Sequence, residues 1–314
     1  MNIINWNKIS SKDKDKLRKI QDLTFVSGPI NLSTKRIKQI EKMYLNLLFG
    51  CLKDKEITGL EGSIQFKPLK EKPLVSSLKK KDSIIIKHFH KDVRYIIKEV
   101  QPSRVVFING SWKGPIHYRS EYWKAIDIGA EIQLRSPFIN DHEAKEYERK
   151  VKRSQSRRKK LYKKNRKYSD EEIMRLTYEL AKNSWDWIGQ IGAVLARKGK
   201  ILLTAWNRVV PYEAYQMHKG SPREAKQIPS QEMLETQLTN HAECEILEFA
   251  RRENVNLKGA TLYVSLFPCP ICAKILSRTD IEQIIYSHDH NINNDIGYKV
   301  LQLSGKKIKR IVPD

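Results

Sequence analysis

Two hydrophobic periods take turns along the chain, and together they predict an α/β protein. Between Leu32 and Phe49 apolar residues fall at Ile37, Ile40, Met43, Tyr44, Leu47 and Leu48. That spacing predicts a helix, with Ser33 or Thr34 as its cap. Ser83–Lys87 (SIIIK) and Arg104–Ile108 (RVVFI) are continuous runs of strand length. His90–Val100 and Tyr118–Ala130 carry helical patterns, and Glu131–Leu134 reads as a third strand. The order strand, helix, strand, helix, strand predicts a small parallel sheet flanked by helices. The loop after the second strand, Asn109–His117 (NGSWKGPIH), lies where parallel sheets often bind ligands, but it fits neither GxGxxG nor GxxxxGK[ST]. An ordinary connecting loop has the same composition.

The back half opens with Ser169-Asp170-Glu171-Glu172, a capping box, and Ile173, Leu176, Thr177 and Leu180 share one face of a helix to about Lys182. Ile191–Leu195 and Ile201–Ala205 read as a hairpin turning at Arg197-Lys198-Gly199-Lys200. Beyond them the pattern alternates: helix His241–Arg251, strand Thr261–Leu266, helix Cys269–Arg278, strand Gln283–Ser287, helix Tyr298–Leu303 and strand Lys307–Val312. A helix, a hairpin and then alternating elements predict a three-layer α/β/α sandwich.

Composition narrows the class. With 314 residues, 40% of them hydrophobic, the chain can fill the cores of two ordinary domains, which excludes wholesale disorder. No apolar run approaches the length of a membrane span, and the first residues show no secretory pattern, so a cytoplasmic protein is expected. Four cysteines are no disulfide framework. The net charge of +23 is unevenly spread. Residues 1–144 hold 27 basic and 16 acidic side chains, residues 145–167 hold 13 and 2, and residues 168–314 hold 19 and 18. We therefore expect a separate N-terminal α/β domain over 1–144, a basic linker or helix over 145–168, and a second domain over 169–314. The segment Lys145–Lys167 is a candidate grip on RNA or DNA phosphates, or a solvated charged linker.

The chemistry concentrates in His241-Ala242-Glu243 and Pro268-Cys269-Pro270-Ile271-Cys272. This is H-x-E followed by P-C-x-x-C, the pattern of nucleobase deaminases that use Zn2+. One imidazole and two thiolates supply three of the four ligands zinc wants and leave one position open. Cys269 opens a helix, whose N-terminus favours the thiolate. Glu243, two residues from a ligand, is free to carry protons. A structural zinc site is the competing reading, with Cys244 as the fourth ligand. A redox CxxC would leave His241 and Glu243 without a role.

With these residues in place, the stretch from about 170 to 314 resembles the cytidine and deoxycytidylate deaminase superfamily. Ser184, Asp186 and Gln190-Ile191-Gly192-Ala193-Val194 resemble that family's S-x-D-P-x-x-Q-V-G-A run. Ala205-Trp206-Asn207 resembles its strand ending in G-[YW]-N, and Thr261–Cys269 its T-L-Y-V-T-L-x-P-C. The resemblance implies a hydrolase that deaminates a cytosine nucleotide, most readily deoxycytidylate. It also implies Glu243 as the catalytic proton carrier, and His241, Cys269 and Cys272 as zinc ligands. Asn207 is the implied substrate contact near sugar and base, with Ala242, Trp206 and Phe267 as further substrate-side candidates. For His288 an ordinary structural histidine is the expectation. Members of this fold commonly form homo-oligomers. The alternative is a nucleic-acid editing enzyme whose basic front half holds tRNA or single-stranded DNA. The chain departs from the family where Arg208-Val209-Val210-Pro211-Tyr212 follows Asn207 and where Trp187 follows Asp186, both places where the family handles phosphate. The insert Tyr212–Gln237 has no counterpart and is a candidate lid.

Overall fold

The computed structural model describes residues 2–79, 83–157, 161–163, 165–225, 237–289 and 294–313. Part of the basic segment (158–160 and 164) and part of the insert (226–236) lie outside the described residues. The chain divides into two compact units, Met1–Val151 with Ala214–Ser230, and Lys152–Glu213 with Gln231–Asp314. The insert that the sequence leaves unassigned thus contributes to the first unit.

The first unit is an all-parallel sheet. Its strands are β1 (Asn2–Asn5), β2 (Leu23–Val26), β3 (Asn46–Leu52), β4 (Ile84–His88), β5 (Arg104–Ile108) and β6 (Glu131–Arg135). They alternate with α1 (Ser11–Arg18), α2 (Thr34–Met43), α3 (Glu71–Ser77), α4 (Val93–Val100), α5 (Ser120–Asp127) and α6 (Asp141–Ser156). The spatial order is β1-β4-β3-β2-β5-β6, so the direction of winding reverses between β2 and β5. The expected three-strand sheet is therefore half of the real one. The expected helix Leu32–Phe49 is a helix followed by a strand. Tyr44 leaves the helix with extended angles, and the run NLLFGCL is buried on both faces, as a central parallel strand must be. Lys145–Ser156 is helical within α6, with Lys145, Arg149, Lys150 and Arg153 exposed.

The second unit begins with α7 (Asp170–Ala181), capped as expected by Ser169 and Glu172 in reciprocal hydrogen bonds. β7 (Gly192–Arg197) and β8 (Lys200–Trp206) form the hairpin, and β9 (Arg208–Val209) follows. Two short helices, α8 (Tyr215–Lys219) and α9 (Pro222–Ala225), belong to the first unit. Then come β10 (Thr239–Asn240), α10 (Ala242–Arg252), β11 (Thr261–Leu266), α11 (Pro270–Ser277), β12 (Gln283–His288), α12 (Asn294–Leu303) and β13 (Lys307–Arg310). The sheet order is β13-β12-β11-β7-β8, parallel through β11, β12 and β13 and antiparallel in the hairpin.

Strand alternation explains the three layers. Ala193, Leu195, Leu262, Val264, Ile284 and Tyr286 face a core shared with Ile246, Ala273, Leu276 and Leu301 of α10, α11 and α12. Their neighbours Val194, Ala196, Tyr263 and Ile285 face Ile173, Met174, Leu176 and Leu180 of α7. At Gly192 a Cβ would stand 1.9 Å from the Thr177 carbonyl, so only glycine lets α7 lie this close to β7. Among the described residues no helix is long and apolar enough to cross a membrane.

Candidate metal centre and active site

The loops entering α10 and α11 bring the motif residues together. His241 is the N-cap of α10 and Cys269 the N-cap of α11, with Pro270 in the first turn, where a missing N–H is harmless. His241 Nδ1 lies 3.5 Å from Cys269 Sγ and 3.4 Å from Cys272 Sγ. A tetrahedral zinc with nitrogen at about 2.1 Å and sulfur at about 2.3 Å separates those atoms by roughly 3.5 Å, so the donor set fits the ion. Among the described residues, His241, Cys269 and Cys272 are the one group of three or more His, Cys, Asp or Glu side chains close enough to share an ion. Cys244 is not a member of that group. It lies half-buried beside Cys272, whose thiol holds it below the ordinary thiol value.

The electrostatics suit a metal site with an acid–base group beside it. The neighbouring Cys272 thiol, His241 and the Cys272 N–H outweigh burial and hold Cys269 down to about 4. Glu243, in the first turn of α10, is buried, and desolvation raises its carboxyl above the usual carboxylate range. A carboxyl withdrawn from water next to a metal site is suited to taking and giving a proton.

Further side chains hold these residues in place, and no motif announces them. Gln237 Oε1 lies 2.8 Å from His241 Nε2. It accepts the Nε2 proton and leaves Nδ1 with its lone pair toward the sulfurs. Thr239 Oγ1 donates to Asp186 Oδ2 at 2.8 Å, tying the strand before His241 to the loop 184–190. Asn240 Nδ2 donates to Glu245 Oε1 at 2.6 Å and fixes the entry to α10. Gln237 ends the insert and Thr239 follows two residues later, where no motif flags them.

The other substrate-side candidates fare differently. Asn207 is 4% exposed, and its Oδ1 accepts from Ile191 N at 2.8 Å while its Nδ2 donates to Gly189 O at 2.7 Å. It therefore pins the loop before β7 to the end of β8, keeping one N–H and one lone pair in reserve. Ala242 is buried in the first turn of α10 and offers a backbone N–H only. Phe267 is 1% exposed and stacks on Tyr298 at 4.1 Å between ring centroids, with Tyr286 at its edge. Both neighbours hold the Phe267 ring in the core between β12 and α12. Trp206 is half-buried against the α7-side cluster with the Arg208 guanidinium 5.0 Å over its ring. His288 sits beside Tyr178, 5.9 Å between ring centroids, and Ser287.

The geometry defines a three-ligand metal site with a buried carboxyl beside it. Residues 167–288 match the family described as the cytidine and deoxycytidylate deaminase zinc-binding region. Deoxycytidylate deaminase of Enterobacteria phage T2 is 34% identical over 68 residues, 22% of this chain and 36% of the phage protein. That of Pongo abelii is 24% identical over 150 residues, 46% of this chain and 79% of the relative. The chain spans about a third of the length of the phage relatives it matches. Among solved structures, the dCMP deaminase of cyanophage S-TIM5 is similar at 20% identity and a TM-score of 0.34, covering 44% of this chain and 93% of that one. A tRNA:A34 deaminase is similar at 20% identity and a TM-score of 0.30, covering 44% and 95%.

Proposed function

We propose that the second unit is a zinc-dependent hydrolytic deaminase that converts a cytosine nucleotide, deoxycytidylate first among them, to its uracil form with release of ammonia. The observation that carries this reading is the Nδ1 and two Sγ atoms at zinc-ligand spacing with Glu243 buried two residues away. Zinc bound there supplies a water molecule acidic enough to react at neutral pH. Glu243 takes a proton from the attacking water and delivers it to the ring nitrogen beside the amine-bearing carbon. The C–O bond forms at that carbon, the C–N bond breaks, and a proton carried by Glu243 leaves with the amine as ammonia. Gln237 keeps His241 in one tautomer throughout, and Asn207 holds the loop that the substrate must meet. Deoxycytidylate is favoured by the near balance of charge in residues 168–314, which suits a small substrate better than a long polyanion.

A second reading, editing of tRNA or single-stranded DNA, is favoured by the basic excess of residues 1–167 and the exposed Lys145, Arg149, Lys150 and Arg153 on α6. An ammonia-release panel over dCMP, CMP, cytidine, dCTP, tRNA and single-stranded DNA decides between them. Turnover of dCMP that disappears in Glu243→Ala is the expected result. Turnover confined to polynucleotides selects the second reading, and turnover of none overturns both.

A further inference from the structure

The direction of winding reverses between β2 and β5, and the carboxyl ends of the strands beside such a switch point are the usual ligand position in parallel sheets. The Asn109–His117 loop crosses these ends. β4 and β5 are separated by β3 and β2, roughly 14 Å at about 4.8 Å per strand. Yet the ring of Trp112, just past β5, lies 5.7 Å from the ring of His90, just past β4. The loop therefore reaches back over the ends of β2 and β3, and the Ser111 hydroxyl accepts from Ile30 N at 3.3 Å on the way.

On this loop and beside it stand four side chains with unpaired polar atoms, while the Asn109 Nδ2 donates to Met217 O at 3.3 Å. His90 Nε2, Trp112 Nε1, Asn109 Oδ1 and both ring nitrogens of His117 have no hydrogen-bond partner among the described residues. All four side chains are more than nine-tenths buried. A buried polar atom left unpaired costs about 1–3 kcal/mol, and natural folds rarely keep several on one loop. These atoms are not an anion site. The N-terminus of α2, where a phosphate would sit, is served by the chain's own Glu143, which accepts from Ser33 Oγ at 2.8 Å and from Ile139 N at 3.0 Å. Burial also lowers the imidazoles of His90, to about 4, and of His117, so at neutral pH each presents one donor and one acceptor and no charge. Uncharged donors and acceptors beside aromatic rings match the edge of a heteroaromatic base, with Arg119, Asp54 and Glu61 as the charged groups near His90.

We propose that the first unit binds a nucleobase-bearing ligand beneath the Asn109–His117 loop, its ring edge read by His90, Trp112, His117 and the Asn109 side-chain oxygen. This proposal concerns residues of the first unit only and does not rest on the deaminase reading. The test is equilibrium dialysis with the zinc-loaded full chain carrying Glu243→Gln, which prevents turnover. The probes are the free bases, their nucleosides and their nucleotides, with inorganic tripolyphosphate as the anion control. At least one base-bearing probe is expected to bind in a component that His90→Phe and Asn109→Leu each weaken about tenfold, the worth of one buried hydrogen bond. Comparing base, nucleoside and nucleotide shows which form the site takes. Both variants, made in the active background, are expected to keep ammonia release, and Trp112→Phe serves if either fails to fold. The proposal is overturned if no base-bearing probe shows such a component, if tripolyphosphate alone binds as well, or if the variants merely raise the melting temperature and leave every binding isotherm unchanged.

Discussion

His241 in the second unit and His90 in the first are both drawn away from solvent, but their ring nitrogens are treated differently. His241 has both engaged, Nδ1 by two sulfurs and Nε2 by Gln237. His90 is 4% exposed and its Nε2 has no partner among the described residues. The first arrangement fixes tautomer and direction, as a metal ligand requires. The second leaves an unspent hydrogen bond, as a site for a dissociable ligand requires. Burial alone therefore says little about a histidine's role; what its two nitrogens meet says much more.

The contrast can be broken at several points. Removing the carboxyl in Glu243→Gln is expected to lower ammonia release roughly a thousandfold while the zinc content measured by elemental analysis stays unchanged. Loss of zinc together with activity would mean Glu243 is a ligand. On the other side of the comparison, His90 sets a pH limit. Its folded-state value of about 4 lies below the ordinary 6.5, so the unfolded chain binds the extra proton and stability falls as pH drops from 6.5 toward 4. At about 1.4 kcal/mol per pH unit the interval is worth on the order of 3 kcal/mol. Denaturant melts at pH 7 and pH 4.5 should show His90→Phe losing less stability than the parent, and equal losses would remove burial as the cause. Gln237→Leu is expected to weaken zinc roughly 10- to 100-fold in a chelator competition, and no change would show that the Nε2 contact is incidental. The smallest effect lies far from either histidine: Ser169→Ala removes the α7 capping box and should cost about 1 kcal/mol in a denaturant melt.

Legibility followed the range of the interactions involved. The grouping of His241, Cys269 and Cys272 is readable because each half of the motif is local, a helix N-terminus with its donors one to three residues apart. The capping box at Ser169 and the hairpin through Gly199 were readable for the same reason. The strands β1, β2 and β3 were not. LTFV is too short to show a period, and Asn46–Leu52 continues the apolar spacing of α2 so smoothly that only the break at Tyr44 separates them. The packing of Phe267 is not legible locally, because its ring meets Tyr286 and Tyr298, some 20 and 30 residues away. Gln237 and the buried groups of the Asn109–His117 loop depend on contacts that no local pattern encodes.

A metal held by three protein ligands keeps one position open for the water it activates. X-ray absorption at the zinc edge of the purified, zinc-loaded chain measures this directly. The prediction is two sulfur neighbours at about 2.3 Å and two nitrogen or oxygen neighbours at about 2.0 Å. Three sulfurs would place Cys244 on the metal, close the site and contradict a hydrolytic role.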